Sequence, residues 1–194
     1  MDNVNVLVDR LAGERTLSRD ILWVVGFSLL TGLMAQIAIP LPFTPVPITG
    51  QTFAVLLSGA VLGSRRGFAC QVLYLAEGLS GLAVFAPLPH LLGLTGGYLL
   101  SYPVAAGVVG LLVELGASRK IWRLAAALAL GDLLILTIGT AWLRAVLHLS
   151  IKTAWFEGFY PFLIGDALKI AFVGISLPIT LKRFRSPDRE SMSS

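Results

Sequence analysis

An acidic and a basic residue stand three positions apart in an apolar stretch near the end of the chain. Asp166 and Lys169 belong to the run Pro161-Phe162-Leu163-Ile164-Gly165-Asp166-Ala167-Leu168-Lys169. On a helix, this spacing places both side chains on one face within pairing distance. A carboxylate accepts N–H bonds and an ammonium donates to carbonyl or carboxylate oxygens. The pair therefore predicts either a polar ligand site or a buried ion pair that fastens two helices together.

Two further carboxylates lie inside apolar stretches, at Glu77 and Asp132. An ionisable side chain near a membrane centre costs at least about 2.5 kcal/mol on insertion scales, so each one is a hypothesis of function. Glu77 is expected at the depth of Asp166 and Lys169, roughly 8–12 Å below the outer surface. Asp132 is expected deeper, as a ligand contact or a helix-packing hydrogen bond. Glu114 and Asp20 lie at span ends, where solvated head groups are expected.

The composition predicts an all-α integral membrane protein. Of 194 residues, 56% are hydrophobic and 13% are charged, and the mean hydropathy is +0.81. A soluble domain carries about a quarter charged residues. Six spans are expected, over residues 20–39, 51–64, 67–86, 95–116, 121–143 and 161–181. They form one transmembrane domain, 20–181, between an N-terminal segment, 1–19, and a basic tail, 182–194.

The distribution of basic residues predicts the orientation of these spans. Lys169 falls inside a span, which leaves 14 of the 15 Lys and Arg residues in loops and tails. With six crossings, one side holds all of these except Arg144 and Lys152. The positive-inside rule then places both termini in the cytoplasm. The basic residues are thus interpreted as topology signals, and no nucleic-acid partner is expected.

Two outer loops are rich in proline. Residues 40–50 contain four prolines, which predicts an extended or PPII-like loop, and Pro87, Pro89 and Gly93 mark the second loop. Both are suited to act as lids over an outward-facing pocket. The single cysteine, Cys70, lies in an apolar run and is expected to be a buried, inert thiol.

Catalytic chemistry is poorly supported by the sequence. His90 and His148 belong to no HExxH motif, and no Walker or GxSxG motif stands in a suitable place. An aspartyl intramembrane protease would need Asp132 and Asp166 to share a proton. A lysine three residues away favours a permanently ionised Asp166 instead. The chain is therefore predicted not to be an enzyme and to need no cofactor.

Three stretches of the chain resemble the BioY family, the substrate-binding subunits of energy-coupling-factor biotin transporters. They are Pro45-Val46-Pro47-Ile48-Thr49-Gly50-Gln51-Thr52-Phe53-Ala54-Val55-Leu56-Leu57-Ser58-Gly59, then Leu94-Thr95-Gly96-Gly97-Tyr98-Leu99-Leu100, and the run from Pro161 to Lys169. They follow in the family's order, and the resemblance covers nearly the whole chain except its tails.

The resemblance implies a six-helix S-component in a prokaryotic cell membrane, with an outward-facing biotin site. It further implies docking onto a transmembrane coupling protein that works with two cytoplasmic ATPases. Asp166 and Lys169 match the family's polar biotin contacts, and supporting roles fall to Gln51, Thr52 and Tyr98. Apolar walls are expected from Phe43, Phe53, Phe85 and Tyr98, and Glu77 is counted with the polar layer.

Other functions remain open at this point. The chain is alternatively an S-component for another small vitamin, or a self-sufficient secondary carrier that uses its intramembrane acids for ion coupling. From a different class, an intramembrane enzyme is the remaining alternative.

Overall fold

The protein is mostly helical, and its computed structural model describes residues 6–8, 16–86 and 93–183. A β-hairpin and short connections join the helices. In chain order the elements are α1 (Leu17–Ala35), β1 (Ala38–Leu41), β2 (Thr44–Thr49), α2 (Gln51–Leu62), α3 (Ser64–Leu79), α4 (Gly96–Glu114), a 3₁₀ turn (Ala117–Arg119), α5 (Ile121–Leu147), α6 (Ile151–Gly158) and α7 (Tyr160–Arg183). Six of the helices overlap the six predicted spans, but α1 and α3 end at Ala35 and Leu79, short of the predicted 39 and 86. Helix α6 is an addition that the sequence did not predict.

Four stretches are long and apolar enough to cross a membrane. They are Leu17–Ala35, Gly96–Glu114, Ile121–Leu147 and Ile151–Ile175, the last of which runs through α6 into α7. Their outer faces carry large apolar side chains such as Leu22 and Ile164, which are 71% and 79% exposed. Surfaces of this kind are expected against lipid rather than water. The chain is therefore a helical membrane protein.

The proline-rich segment after α1 is extended, which was one of the two predicted alternatives, and it forms a hairpin that the sequence did not predict. Strands β1 and β2 pair antiparallel, with Ala38 opposite Thr49 and Leu41 opposite Thr44. Proline disrupts strands because it lacks an N–H donor. Pro45 and Pro47 stand two residues apart, however, so both present their missing donor on the same edge of β2. The other edge remains free to pair with β1.

Small residues allow α2, α3 and α4 to pack with their backbones almost touching. A Cβ built on Gly59 would lie 2.4 Å from the carbonyl oxygen of Ala106, and one built on Gly110 would lie 2.3 Å from the carbonyl carbon of Gly63. Gly67 approaches Gly59 in the same way, at 3.0 Å. The small residues Ala106 and Gly110, four positions apart on α4, thus belong to a helix interface. Helix α4 lies at the centre, in contact with α2, α3 and α5.

The acidic residues at the span ends remain partly exposed and also contact other parts of the chain. Glu114, at the end of α4, accepts hydrogen bonds from the backbone N–H and the hydroxyl of Ser64 at 2.8 and 2.9 Å. Asp20 pairs with Arg66 at 2.9 Å. Cys70 is a buried free thiol, as predicted. Residue type and position in a span did not indicate that these two acids have partners in distant parts of the same chain.

The opposite end of the bundle is assembled from two segments that join helix ends. We call residues 36–50 the hairpin segment, and residues 80–95 the α3–α4 loop, of which 80–86 and 93–95 are described. The beginnings of α2, α4 and α7 meet these segments. Short helix α6 is fixed to the hairpin segment because the Thr44 hydroxyl donates to the Glu157 carbonyl oxygen at 2.8 Å.

Candidate functional site

Asp166 and Lys169 form an ion pair one turn apart on α7, as their spacing predicted. The Lys169 ammonium donates to Asp166 Oδ1 across 2.7 Å. The Asp166 side chain is 3% exposed and that of Lys169 is 18% exposed. The position of the pair on two consecutive turns therefore places a salt bridge on the inward face of α7.

Lys169 also joins α7 to two other elements. Its ammonium donates to the carbonyl oxygen of Thr49 at 2.9 Å and to the hydroxyl of Thr52 at 2.8 Å. The Thr52 hydroxyl in turn donates to Asp166 Oδ1 at 3.1 Å. An ammonium has three N–H donors, and here all three are used. The pair thus fixes the start of α2 and the end of β2 against α7.

The second oxygen of Asp166 is left without such a contact. Asp166 Oδ2 is buried and has no hydrogen-bond partner within the described ranges. A buried polar atom of this kind is unfavourable unless a donor reaches it. Since Asp166 lines a cavity, a bound molecule with an N–H or O–H group would supply that donor.

The cavity lies at the end of the bundle formed by the hairpin segment and the α3–α4 loop. It holds about 570 Å³ of empty space when its open mouth is counted. Its wall is formed by residues of β2, the α3–α4 loop and helices α2, α4, α5 and α7. These residues are Val46, Pro47, Thr49, Gln51, Thr52, Phe85, Ala86, Thr95, Tyr98, Leu99, Tyr102, Leu136, Phe162, Asp166 and Lys169. One ion pair, several hydroxyls and aromatic rings thus surround a single space.

Six of the nine predicted site residues line this cavity. They are Asp166, Lys169, Gln51, Thr52, Tyr98 and Phe85. The polar groups of two of them already have protein partners. Gln51 Nε2 donates to the hydroxyl of Tyr74 at 2.6 Å, and the Tyr98 hydroxyl donates to the carbonyl oxygen of Gly158 at 2.6 Å.

The other three predicted residues lie elsewhere. Phe43 is 51% exposed at the hairpin turn, where its ring faces Phe156 at 6.4 Å. Phe53 packs edge-on against Phe172 at 5.8 Å, on the contact between α2 and α7. The orientation of each element turns the ring away from the cavity.

Glu77 does not join the polar layer, contrary to the prediction. Its Oε1 accepts from the Ser28 hydroxyl at 2.8 Å, so the carboxylate binds α1. The side chains of successive helix residues are rotated by about 100°, and Glu77 lies on a face of α3 that is turned towards α1. Its role in the structure is to fasten two helices.

Asp132 is buried on α5 but does not line the cavity. It is 4% exposed, and its Oδ1 lacks a hydrogen-bond partner in the described part of the chain. Leu136, one turn further along the same helix, does line the cavity. With Asp166 ion-paired to Lys169, the geometry gives no support to a proton-sharing Asp132–Asp166 dyad.

Sequence reasoning missed several members of the wall, above all Tyr102, Leu136 and Phe162. All are apolar or aromatic residues inside apolar stretches, where the same residue types fill ordinary cores. Tyr102 carried the one available signal, since it follows Tyr98 by four positions and shares its helix face.

Both loops predicted to act as lids contribute to the cavity. The hairpin segment supplies Val46, Pro47 and Thr49, and the α3–α4 loop supplies Phe85, Ala86 and Thr95. Residues 87–92, which include two of the prolines behind this prediction, lie outside the described residues. The ring of Phe85 is seated over Gly78, where a built Cβ would lie 2.0 Å from its Cζ.

Comparison with known proteins gives a consistent result. The model of the BioY family matches residues 5–186. A biotin transporter BioY of Thermotoga maritima is 37% identical over 161 residues, which cover 81% of this chain and 92% of that protein. A probable biotin transporter BioY of Pyrococcus horikoshii is 35% identical over 158 residues, covering 79% and 91%.

A solved structure shares the fold. It is described as the S-component for biotin from an ECF-type ABC transporter, and it superimposes with a TM-score of 0.78 at 20% identity. The superposition covers 89% of this chain and 96% of the other. The relatives named above are transporters rather than enzymes.

Proposed function

This chain belongs to the BioY family, and on that premise we propose that it captures biotin in the cavity beside Asp166 and Lys169. It would serve as the substrate-binding S-component of an ECF-type transporter. The observation that carries the proposal is the buried, unsatisfied Asp166 Oδ2 beside a cavity that is lined by polar and aromatic residues. The names of the relatives in Thermotoga maritima and Pyrococcus horikoshii supply the substrate.

The chemistry of biotin suits this cavity. Its ureido ring carries N–H donors, which match the free acceptor on Asp166. Its ureido carbonyl and its carboxylate are acceptors, which match the ammonium of Lys169 and the nearby hydroxyls. Its thiophane ring and alkyl chain need apolar walls, available at Phe85, Tyr98 and Phe162.

Ligand binding at Lys169 would require an exchange of partners. The ammonium already donates to Asp166, Thr52 and the Thr49 carbonyl oxygen. A ligand oxygen must therefore replace one of these acceptors. Thr49 belongs to the hairpin segment, so its release would link ligand binding to a movement of that segment.

The proposal includes the arrangement in the membrane. It has six crossings, formed by α1, α2, α3, α4, α5 and α7, and both termini in the cytoplasm. This arrangement explains the distribution of basic residues, because it places nearly all of them on one side of the membrane. The cavity then opens outside, in the cell membrane of a prokaryote. Fusing a reporter that fluoresces only in the cytoplasm to the C-terminus tests this orientation, and a dark fusion at normal expression would refute it.

Uptake also requires an energy source. An ECF-type S-component works with a transmembrane coupling protein and two cytoplasmic ATPases, and we extend this arrangement to the present chain. Uptake of labelled biotin by cells that carry this chain with and without the coupling module tests that extension. Equal uptake in both strains would instead favour a self-sufficient carrier.

The substrate assignment is tested by calorimetry on the purified full-length protein. We expect biotin to bind tightly and a biotin analogue methylated at both ureido nitrogens to bind far more weakly, because it lacks the donor for Asp166. Folded protein that gives no heat with biotin would refute the assignment. Equal affinity for both compounds would retain the substrate and reject the proposed contact.

A further inference from the structure

Asp132 is a buried carboxyl group that the proposed function leaves unused. Only 4% of its surface is exposed, and its Oδ1 has no hydrogen-bond partner among the described residues. Leu128 and Leu136, one turn before and one turn after it on α5, are both buried. The carboxyl group therefore lies in an apolar part of the bundle, where a charge is costly.

The helices packed around Asp132 offer it little compensation. At the adjacent Gly131, a built Cβ would meet the side chains of Val109 on α4 and Leu56 on α2. In the described part of the chain, the titratable and charged groups within electrostatic range of Asp132 are Asp166 and Lys169 of α7 and Tyr102 of α4. A neutral phenol cannot balance a carboxylate, so Lys169 is the one cation among these groups.

The positive charge of Lys169 is already balanced. Its three N–H groups are donated to Asp166, Thr52 and the Thr49 carbonyl oxygen, which is all that an ammonium has. An ionised Asp132 would therefore add a second carboxylate to a region with one cation. An uncompensated charge in an apolar region is so unfavourable that the group becomes neutral instead, and an acid does so by binding a proton.

A proton suits this position better than a metal ion. A hard cation such as Ca²⁺ takes about six oxygen ligands or more. Among the described residues, no group of three or more His, Cys, Asp or Glu side chains could hold a metal ion. A proton needs a single oxygen, and Oδ1 of Asp132 is available for it.

The proton on Asp132 affects the charge that a ligand meets in the cavity. Leu136 lies one turn from Asp132 and lines the cavity together with Asp166 and Lys169. With Asp132 neutral, the charges of Asp166 and Lys169 cancel, and the carboxylate of biotin meets no excess negative charge. With Asp132 ionised, two carboxylates face one ammonium, and the excess negative charge repels an anion strongly where little water screens it.

We propose that Asp132 is a proton-binding site that keeps the cavity electrically neutral, so that an anionic ligand binds tightly only while this proton is present. The proton belongs to Asp132 and is not shared with Asp166, whose Oδ1 is bound by Lys169 and Thr52. The anionic ligand in this inference rests on the proposed function. The presence of the proton rests on the burial of Asp132 and on the balance of charges around it.

Infrared spectroscopy of the full-length protein in lipid nanodiscs at neutral pH detects the proton directly. A protonated carboxyl group has a C=O stretching band that a carboxylate lacks and that shifts in D₂O. Asp132→Asn removes the carboxyl group and nearly retains its size. We expect the spectrum of the parent minus that of Asp132→Asn to contain this band. A difference spectrum that contains a carboxylate band in its place would overturn the inference.

Calorimetry with biotin at pH about 6 and pH about 9 tests the link between the proton and the ligand. In the parent protein, raising the pH removes the proton from Asp132, so the affinity should fall about tenfold through repulsion of the ligand carboxylate. Asp132→Asn is neutral at both pH values and should lose far less affinity. Because Lys169 and Tyr102 are present in both proteins, the difference between the two isolates Asp132. Equal pH dependence in the two proteins would overturn the link.

The matched control is Glu77→Gln, which also removes a carboxyl group from an apolar stretch, but one that binds Ser28 of α1. It should retain the infrared band of Asp132 and the pH dependence of the parent protein. If Glu77→Gln abolishes the pH dependence as Asp132→Asn does, the effect is not specific to Asp132 and the inference is wrong. If the parent protein binds no biotin at either pH, the proposed function fails, and the infrared spectra still decide whether Asp132 holds a proton.

Discussion

The carboxylate of Glu114 at the end of α4 caps the N-terminus of α3 through the backbone N–H of Ser64, at 2.8 Å. Helices usually obtain such a cap from their own N-cap side chain. The N-cap of α3 is Gly63, which has no side chain and a φ of +84°. A residue 50 positions away in the chain therefore supplies the acceptor and the negative charge that a helix N-terminus favours.

Removal of this cap should destabilise the bundle. We expect Glu114→Ala to lower the free energy of unfolding by about 1–2 kcal/mol, because the N–H and hydroxyl of Ser64 lose their acceptor. Glu114→Gln retains an acceptor and should cost less. Unfolding in mixed micelles with increasing SDS measures both variants. Equal losses for Gln and Ala would contradict capping by a side-chain oxygen.

The ion pair of the site should behave as a unit in stability measurements. Lys169→Met leaves Asp166 buried without its cation, and we expect a loss of about 3–5 kcal/mol. The double variant Asp166→Asn/Lys169→Met should be more stable than Lys169→Met, because the isolated charge is gone. A double-mutant cycle by SDS unfolding gives the coupling energy. Additive losses would contradict the proposed coupling.

Ligand binding should distinguish these variants in a different way. Asp166→Asn exchanges one carboxylate oxygen for an NH₂ donor and removes the negative charge, whereas Lys169→Met removes the ammonium. Each should weaken biotin binding by about 2–4 kcal/mol, and the double variant should not recover it. Calorimetry on folded protein measures this. An unchanged dissociation constant in both single variants would reject the site without touching the family assignment.

The close approach of α2 and α4 should not tolerate one added methyl group. In Gly59→Ala the new Cβ would meet the Ala106 carbonyl oxygen at 2.4 Å, and the helices must separate at a cost of about 1–3 kcal/mol. Gly26→Ala is the matched control, since a Cβ there meets nothing within 4 Å and alanine favours helix. Comparable stability for the two variants would contradict the tight interface.

The rim of the cavity should respond to a substitution at Gly78. The Phe85 ring occupies the position of a Cβ at this residue, with its Cζ 2.0 Å away, so Gly78→Ala must displace the ring. We expect biotin to dissociate several-fold faster because the rim is less well closed. Stopped-flow exchange against unlabelled biotin measures the rate. Gly174→Ala, with no atom within 4 Å of its Cβ, should retain the parent rate.

The sequence predicted features that depend on neighbours in the chain. The helix positions followed from apolar runs, and the Asp166–Lys169 pair followed from its spacing within one helix. Predictions of this kind fail for Glu77 and Phe53, because the position of a residue along a span does not determine which neighbouring helix its side chain faces. The partner of Glu114 was not predicted for the same reason, since it is a backbone N–H from a distant helix.

The other features that the sequence analysis missed involve residues whose type gives no distinctive signal. Tyr74 and Tyr102 stand in helices where an aromatic residue is ordinary packing, and only the assembled bundle shows their contacts with the cavity. The hairpin was missed because four prolines argue against strands in general. The alternate positions of Pro45 and Pro47 leave one edge able to pair.

The shortness of α2 affects the distance across the membrane that a solute bound in the cavity would still have to travel. Its 12 residues give a length of about 18 Å, against about 30 Å for the hydrocarbon core of a bilayer. Gln51 and Thr52, which line the cavity, stand at its first turn. With the six crossings proposed above, and with the far end of α2 at the cytoplasmic face, a molecule held there would lie about 12 Å along this path, with less than two thirds of the barrier still ahead. In that arrangement the resting protein shortens the permeation route before any conformational change begins.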